Sequence, residues 1–183
     1  GFVDFPADLG CAAANDDTER AGSFVVGTSE PLFFGYPIIS DMQGHTAQSP
    51  FVGERVTILG RSDPAAPAMG DRRHRLVVTK INNSGFFVTD IDDASCAGMP
   101  CYNSVFAFNF NAPIGMRPCD ILDLMQGSVS EFVGYTELNQ PAFHVGVLWR
   151  PNDAVAGQCQ IPEAVALSGP VIADDVQMER LEA

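Results

Sequence analysis

The sequence Gly127-Ser-Val-Ser-Glu-Phe-Val-Gly-Tyr-Thr-Glu-Leu138 decides the fold, because it joins two strand-like runs through a glycine turn. The first strand is predicted from Ile121 to Phe132, and Gly127 within it permits the sharp bend that a small closed barrel requires. Gly134 lies in the turn, and the second strand is predicted from Tyr135 to Val147. The stretch therefore predicts a β-hairpin with one strongly bent strand.

Upstream of this hairpin, four more apolar runs show the period of two that is expected of strands. They are Arg55 to Gly60, Arg75 to Ile81, Gly85 to Ile91 and Ser104 to Phe110. Asn82-Asn-Ser-Gly85 has the composition of a tight hairpin turn, and the β-branched run Tyr36 to Gly44 predicts a further short strand. Short alternating strands separated by turns predict an all-β chain that closes into a small barrel.

Three phenylalanines share one face of a predicted strand, because Phe106, Phe108 and Phe110 are spaced two residues apart. Val105 and Ala107 belong to the opposite face. A row of aromatic rings can serve as a stacking platform for a ligand. Large apolar side chains are more often buried, so we favour the interpretation that the three rings belong to the core.

The composition limits the classes of partner. The chain has 183 residues and a formal net charge of −13, with only ten Lys and Arg residues. Affinity for polyanions comes mainly from cationic side chains that neutralise phosphates, so this balance argues against a general phosphate-binding surface. No apolar run approaches the ~20 residues that a membrane-spanning helix requires, and we expect no membrane span.

Three segments are predicted from the pattern. Residues 1–35 have little periodicity and predict an irregular, extended N-terminal arm. Residues 36–147 contain the predicted barrel, and residues 148–183 form a C-terminal loop followed by a short helix from Val171 to Glu182.

Five cysteines are many for a cytosolic domain, and their spacing lacks the doubled Cys-x2-Cys pattern of zinc sites. Cys96 and Cys101 flank Ala-Gly-Met-Pro, a turn-forming tetrapeptide that would bring them within bridging distance. We predict a disulfide between these two, which implies an oxidising compartment, with buried free thiols as the alternative. The pattern does not pair Cys11, Cys119 or Cys159.

Several short motifs, taken in order, resemble a known family. They are Ile39-Ser-Asp-Met-Gln-Gly44, Ser49-Pro-Phe-Val-Gly-Glu-Arg-Val-Thr-Ile-Leu-Gly60, Gly85-Phe-Phe-Val-Thr-Asp90, Tyr102-Asn-Ser-Val-Phe-Ala-Phe-Asn-Phe110 and the hairpin sequence quoted above. Their order is similar to the OB-fold domain attached to bacterial extracellular nucleases, over roughly residues 36–182.

The resemblance implies an all-β, OB-like five-stranded closed barrel that is secreted or anchored at the cell envelope. Such barrels bind oligonucleotides or oligosaccharides on one sheet face and its rim loops. In the resembling nucleases a separate metal-dependent domain cleaves the substrate, and nothing in this sequence corresponds to it. The chain departs from the family in its cysteine loop and in the proline-rich residues 62–71.

One candidate ligand-binding set combines cationic side chains, which could meet phosphates, with aromatic rings, which could stack on bases. Its members are Arg72, Arg73, Arg75, Lys80, Phe87 and Tyr102, with His74 inside the cationic run. The acidic net charge favours the alternative, in which the cations lie on a solvated strand edge and offset local acidity.

Asp90, Asp92 and Asp93 form a candidate calcium site, because calcium prefers several oxygen ligands from one loop. The spacing lacks the glycine and the distal Glu of an EF-hand, which favours an acidic turn without an ion. The sequence indicates no cofactor other than this candidate calcium ion. His45, His74 and His144 lie in unrelated contexts without a catalytic motif, so we predict that the chain is not an enzyme.

The sequence therefore predicts a non-catalytic secreted or cell-surface module that binds nucleic acid or oligosaccharide, or mediates protein assembly. The alternative is a structural or adhesive extracellular protein that self-associates through its N-terminal arm. An arm that donated a strand to a neighbouring barrel would satisfy its own backbone groups and the edge of the neighbour together.

Overall fold

The computed structural model of the chain describes residues 36–43, 48–63, 72–93, 102–151, 159–163 and 166–173. These residues form one six-stranded sheet, two short helices and connecting turns. The elements in chain order are α1 (Ile39–Gln43), β1 (Arg55–Leu59), β2 (Leu76–Asn82), β3 (Gly85–Asp90), β4 (Ser104–Phe108), β5 (Ile121–Phe132), β6 (Tyr135–Val147) and α2 (Gly169–Ile172). The prediction of an all-β chain is confirmed, and all six predicted strands from Arg55 onward are present.

The strands pair in a ring. β2, β3 and β4 form an antiparallel meander. β4 pairs in parallel with β6, which is possible because β5 lies between them in the chain and supplies the crossover. β6 pairs antiparallel with β5, and β5 pairs antiparallel with β2, which returns the pairing to its first strand.

β1 and β2 line the same edge of β5 one after the other. β1 pairs with Leu124–Ser128 of β5, and Leu76 and Val77 of β2 pair with the preceding residues Leu122 and Ile121. The two strands therefore act as one long strand that is interrupted by the residues between them. The proline-rich run at 62–71 belongs to this interruption, and its residues 64–71 lie outside the described residues.

Gly127 lies where the pairing of β5 with β6 shifts register, between Gln126 and Ser128. A Cβ atom at this position would lie 2.6 Å from Cγ of Leu138 and 2.8 Å from the carbonyl oxygen of Asn139. The close approach of the two strands therefore requires glycine. At the hairpin turn, Val133 and Gly134 both have positive φ, as a type I′ turn demands.

The core holds a helix where a strand was predicted. Residues 39–43 of the β-branched run form α1, and Ile39 and Met42 are fully buried. The Gln43 side chain donates to the carbonyl oxygen of Ser104, which ties the helix to β4. Phe51, also fully buried, packs in the same core cluster. The predicted strand was wrong because these apolar side chains fill the interior of the sheet instead of extending it.

A disulfide that the sequence pattern left unassigned joins Cys119, just before β5, to Cys159 in the C-terminal segment. The predicted pair Cys96 and Cys101 lies outside the described residues, as does the N-terminal arm 1–35. The predicted C-terminal helix overlaps α2 only at its first residues, and residues 174–183 also lie outside them. Within the parts of the chain that the structure describes, no helix has the length and apolar character to cross a membrane.

Candidate ligand-binding face

The predicted cationic run and the predicted acidic turn lie side by side. β2 begins where β3 ends, and Leu76 is paired with Asp90. The side chains that precede Leu76 therefore meet those that follow Asp90. The resulting charged cluster consists of Arg61, Arg72, His74, Arg75, Asp90, Asp92 and Asp93.

Arg75 and Asp92 form the centre of this charged cluster. Nε of Arg75 lies 3.0 Å from each carboxylate oxygen of Asp92, and the backbone N–H of Arg75 donates to the same carboxylate at 2.9 Å. Nε of Arg61 lies 3.7 Å from Oδ2 of Asp92. Burial would raise the pKa of Asp92, but the hydrogen bonds from Arg75 outweigh burial and hold this pKa below its ordinary value. A calcium ion at Asp92 would have to displace the Arg75 guanidinium.

His74 and Asp90 form a second pair, with 2.7 Å between Nδ1 of His74 and Oδ2 of Asp90. Asp90 is fully buried, and its other oxygen accepts the backbone N–H groups of Asp92 and Asp93 at 3.0 Å. The hydrogen bond to Asp90 raises the pKa of His74, although burial opposes the shift. Asp90 thus organises the turn and orients the imidazole.

Arg72 connects the charged cluster to α1. Its guanidinium contacts the Asp41 carboxylate of α1, and its Nε donates to the carbonyl oxygen of Tyr36 at 3.3 Å. Burial lowers the pKa of Arg72. Its neighbour Arg73 is exposed. Arg72 and Arg75 therefore neutralise carboxylates of the same chain, which reduces the positive charge that the cationic run can offer to a ligand.

The phenylalanine stripe of β4 lies outside the core, contrary to the interpretation that we favoured from the sequence. Val105 and Ala107 are fully buried, whereas Phe106 and Phe108 are partly exposed and Phe110 is 67% exposed. The period of two divides the strand into two faces without telling which one points inward. The smaller residues face inward, where the fully buried side chains of the core leave little room.

Phe87 of β3 extends this stripe into a continuous aromatic face. Phe87 is paired with Phe106 in the sheet, and their ring centroids are 4.7 Å apart. The ring centroids of Phe106 and Phe108 are 6.3 Å apart, and those of Phe108 and Phe110 are 4.6 Å apart. Nζ of Lys80 on β2 lies 5.7 Å from the centroid of the Phe87 ring. We call these four rings with Lys80 the aromatic face.

Polar side chains border the aromatic face on β6. Glu137 is paired with Phe106, and Asn139 with Phe108, so their side chains share the outer face of the sheet with the rings. Nδ2 of Asn139 donates to Oγ of Ser130 on β5 at 2.5 Å. Burial raises the pKa of Glu137. The outer face therefore combines a central apolar surface with a carboxylate, an amide and a hydroxyl along one side.

The predicted ligand-binding residues are divided between the two places. Phe87 and Lys80 belong to the aromatic face, and Arg72 and Arg75 belong to the charged cluster. Tyr102, predicted to stack on a base, is only 7% exposed and is therefore buried. Among the described residues, no three carboxylate, imidazole or thiol side chains are grouped so that they could hold a metal ion.

The aromatic face could have been found from the sequence by one signal. Phe87 stands in the predicted strand that precedes the phenylalanine stripe along the chain. Together with the three rings of the stripe it gives four large rings on two neighbouring strands, which is more than one buried face accommodates.

Comparison of the chain with protein-family models, with curated proteins and with solved structures finds no match in any of the three.

Proposed function

We propose that the chain is a non-catalytic OB-like barrel, secreted or displayed at the cell surface, that binds an extended ligand on its aromatic face. The ring of pairings supports the barrel, because a meander, a parallel third pairing and a return to the first strand are expected of a five-stranded Greek-key barrel. β1 and β2 count as one interrupted strand in this arrangement.

The observation that carries the proposal is the position of the four phenylalanines. With β1 and β2 taken as the first strand, β3 and β4 are the second and third strands of the ring, and OB-fold barrels bind oligomers on the face of these two strands. Phe87 and the β4 stripe lie on the outer side of these strands instead of in the core. Three of these rings are partly exposed and Phe110 is exposed, so the row leaves apolar surface in contact with water that a stacked ligand would cover.

The disulfide between Cys119 and Cys159 supports an extracellular location, because disulfides persist mainly in oxidising compartments. The high net negative charge supports solubility in such a setting.

The proposal is tested by binding of the full chain to a printed array of glycans and to oligothymidine, followed by titration of each positive probe. Phe108→Leu keeps the apolar bulk and removes the ring, so it should weaken binding by about 5- to 150-fold, as expected for one lost stacking contact of 1–3 kcal/mol. Leu148→Ala is the matched control, because Leu148 is 46% exposed and lies outside the aromatic face, directly after the last residue of β6.

Binding that is weakened to this extent in Phe108→Leu and unchanged in Leu148→Ala would support the aromatic face as the binding site. Equal affinity of the wild type and Phe108→Leu, or no binding to any probe, would overturn the proposal. Thermal unfolding of both variants verifies that a loss of affinity is not a loss of folded protein.

A further inference from the structure

We infer that the ligand of the aromatic face is an uncharged glycan, an inference that rests on the proposed function and names its ligand class. The argument depends on where the cations of the chain lie, and on which polar groups border the rings.

Few cations are available for phosphates. The chain has ten Lys and Arg residues against 23 Asp and Glu residues. Arg61 and Arg75 are directed at Asp92, and Arg72 at Asp41. Lys80 belongs to the aromatic face, and a polyanion would need several such charges along its path.

The remaining cations are spread over the rest of the chain. Arg55 lies on β1, where it donates to Gln126, and Arg73 precedes β2. Arg117 lies in the loop between β4 and β5, and Arg150 follows β6. The last two, Arg20 and Arg180, lie outside the described residues. This distribution provides no continuous cationic track across the described part of the sheet.

A carboxylate borders the centre of the aromatic face. Glu137 is the sheet partner of Phe106, which stands between Phe87 and Phe108 in the row of rings. A carboxylate here would repel the phosphates of a nucleic acid whose bases stacked on Phe106. The same carboxylate accepts hydrogen bonds from hydroxyl groups, and these charge-assisted bonds are strong.

Asn139 and Ser130 complete a border that suits sugar hydroxyls. The amide of Asn139 has both donors and an acceptor, and the Ser130 hydroxyl has both roles as well. Both residues lie beside the rings in the sheet. Asn139 is paired with Phe108, and Ser130 is paired with Glu137, which is itself the partner of Phe106. A sugar ring has an apolar face of C–H groups and a rim of hydroxyls. It can therefore pack on the phenylalanines while its rim reaches this border, the combination of apolar surface and few polar groups that ligand sites show.

The experiment titrates the full chain with the neutral glycans, the anionic glycans and the oligothymidine that the array identifies, at about 50 and 200 mM salt. We expect neutral glycans to bind with the same affinity at both salt concentrations. We expect Glu137→Gln to weaken this binding about tenfold, because a charge-assisted hydrogen bond is replaced by a neutral one. Glu163→Gln is the matched control, since it makes the same charge change at an exposed residue of the C-terminal segment.

The outcomes separate the two proposals. Binding of oligothymidine or anionic glycans alone, weakened by salt and by Phe108→Leu, would overturn the glycan inference and leave the proposed function intact. Neutral-glycan binding that is unchanged in both Phe108→Leu and Glu137→Gln would overturn the placement of the glycan on this face. Failure of every probe to bind would overturn the proposed function, and the glycan inference with it.

Discussion

Replacing Cys119 and Cys159 by serine should lower the free energy of unfolding by up to about 5 kcal/mol, of which up to about 4 kcal/mol comes from the entropy of the unfolded chain. The bridge joins residues that are 40 positions apart, so it closes a loop of about 41 residues that includes the whole β5–β6 hairpin. In the chain-entropy description, a loop of this length restricts the unfolded chain by about 13 cal/mol/K, which is about 4 kcal/mol at 25 °C. This entropic part is an upper estimate, because measured effects of engineered disulfides are often smaller than the chain-entropy description predicts.

The bridge also holds a contact in the folded protein. Gln160 directly follows Cys159, and its side-chain oxygen accepts a hydrogen bond of 3.1 Å from Nη1 of Arg75. Without the bridge this segment is free to leave the charged cluster. The loss of that hydrogen bond adds about 1 kcal/mol to the destabilisation.

The assay is urea unfolding of the wild type and the double serine variant under non-reducing conditions. We expect a lower midpoint for the variant and an m value at least as large, because its unfolded chain is less compact. Unfolding of the variant with and without reductant is the control, since any remaining effect of reductant reports on a disulfide among Cys11, Cys96 and Cys101, which include the predicted pair. Equal midpoints for wild type and variant would refute the reasoning, as would free thiols at Cys119 and Cys159 in mapped peptides of the native protein.

Three further predictions concern the packing and the charged cluster. Asp90→Ala should lower the free energy of unfolding by about 3–5 kcal/mol, because it leaves His74 and two backbone N–H groups without their buried acceptor; a loss below about 1 kcal/mol in denaturant titration would contradict this. The raised pKa of His74 contributes stability that is complete below about pH 6.5 and is lost as pH rises through the folded-state pKa, so the wild type should lose more stability than His74→Gln between about pH 6 and 8.5; parallel pH profiles of the two proteins would exclude this role. Gly127→Ala should cost about 1–3 kcal/mol by overpacking, since its Cβ would lie 2.6 Å from Leu138 Cγ; an unchanged melting temperature would show that the strands can separate without cost.

The strands were predictable because their signals are local. Alternation of apolar and polar residues placed all six strands from Arg55 onward, and glycine identified both the turn at Gly134 and the irregular pairing at Gly127. These features depend on the conformation of a few neighbouring residues and on the period of the pleat, which a sequence displays directly. The same reasoning was wrong for α1, where Ile39 begins a buried helix. Burial against the sheet overrides the local preference of Ile38 and Ile39 there.

The candidate site was predictable only in part. Phe87 and Lys80 were selected from the sequence, but the rings of Phe106 and Phe108 were assigned to the core. The sequence pattern of a stripe with a period of two is the same whether the stripe faces inward or outward. The volume available inside the sheet decides the direction, and that volume is set by residues on other strands and by α1.

By itself, the sequence of this protein determined its all-β class, the order and extent of its strands, and the sign of its net charge. Only the tertiary structure decided that Arg75 meets Asp92, that Cys119 meets Cys159, and that the phenylalanines face outward. The physical reason is that these contacts join residues between 17 and 40 positions apart or depend on which face of a strand is covered. Such partners are selected by the closure of the sheet, and no local pattern carries that information.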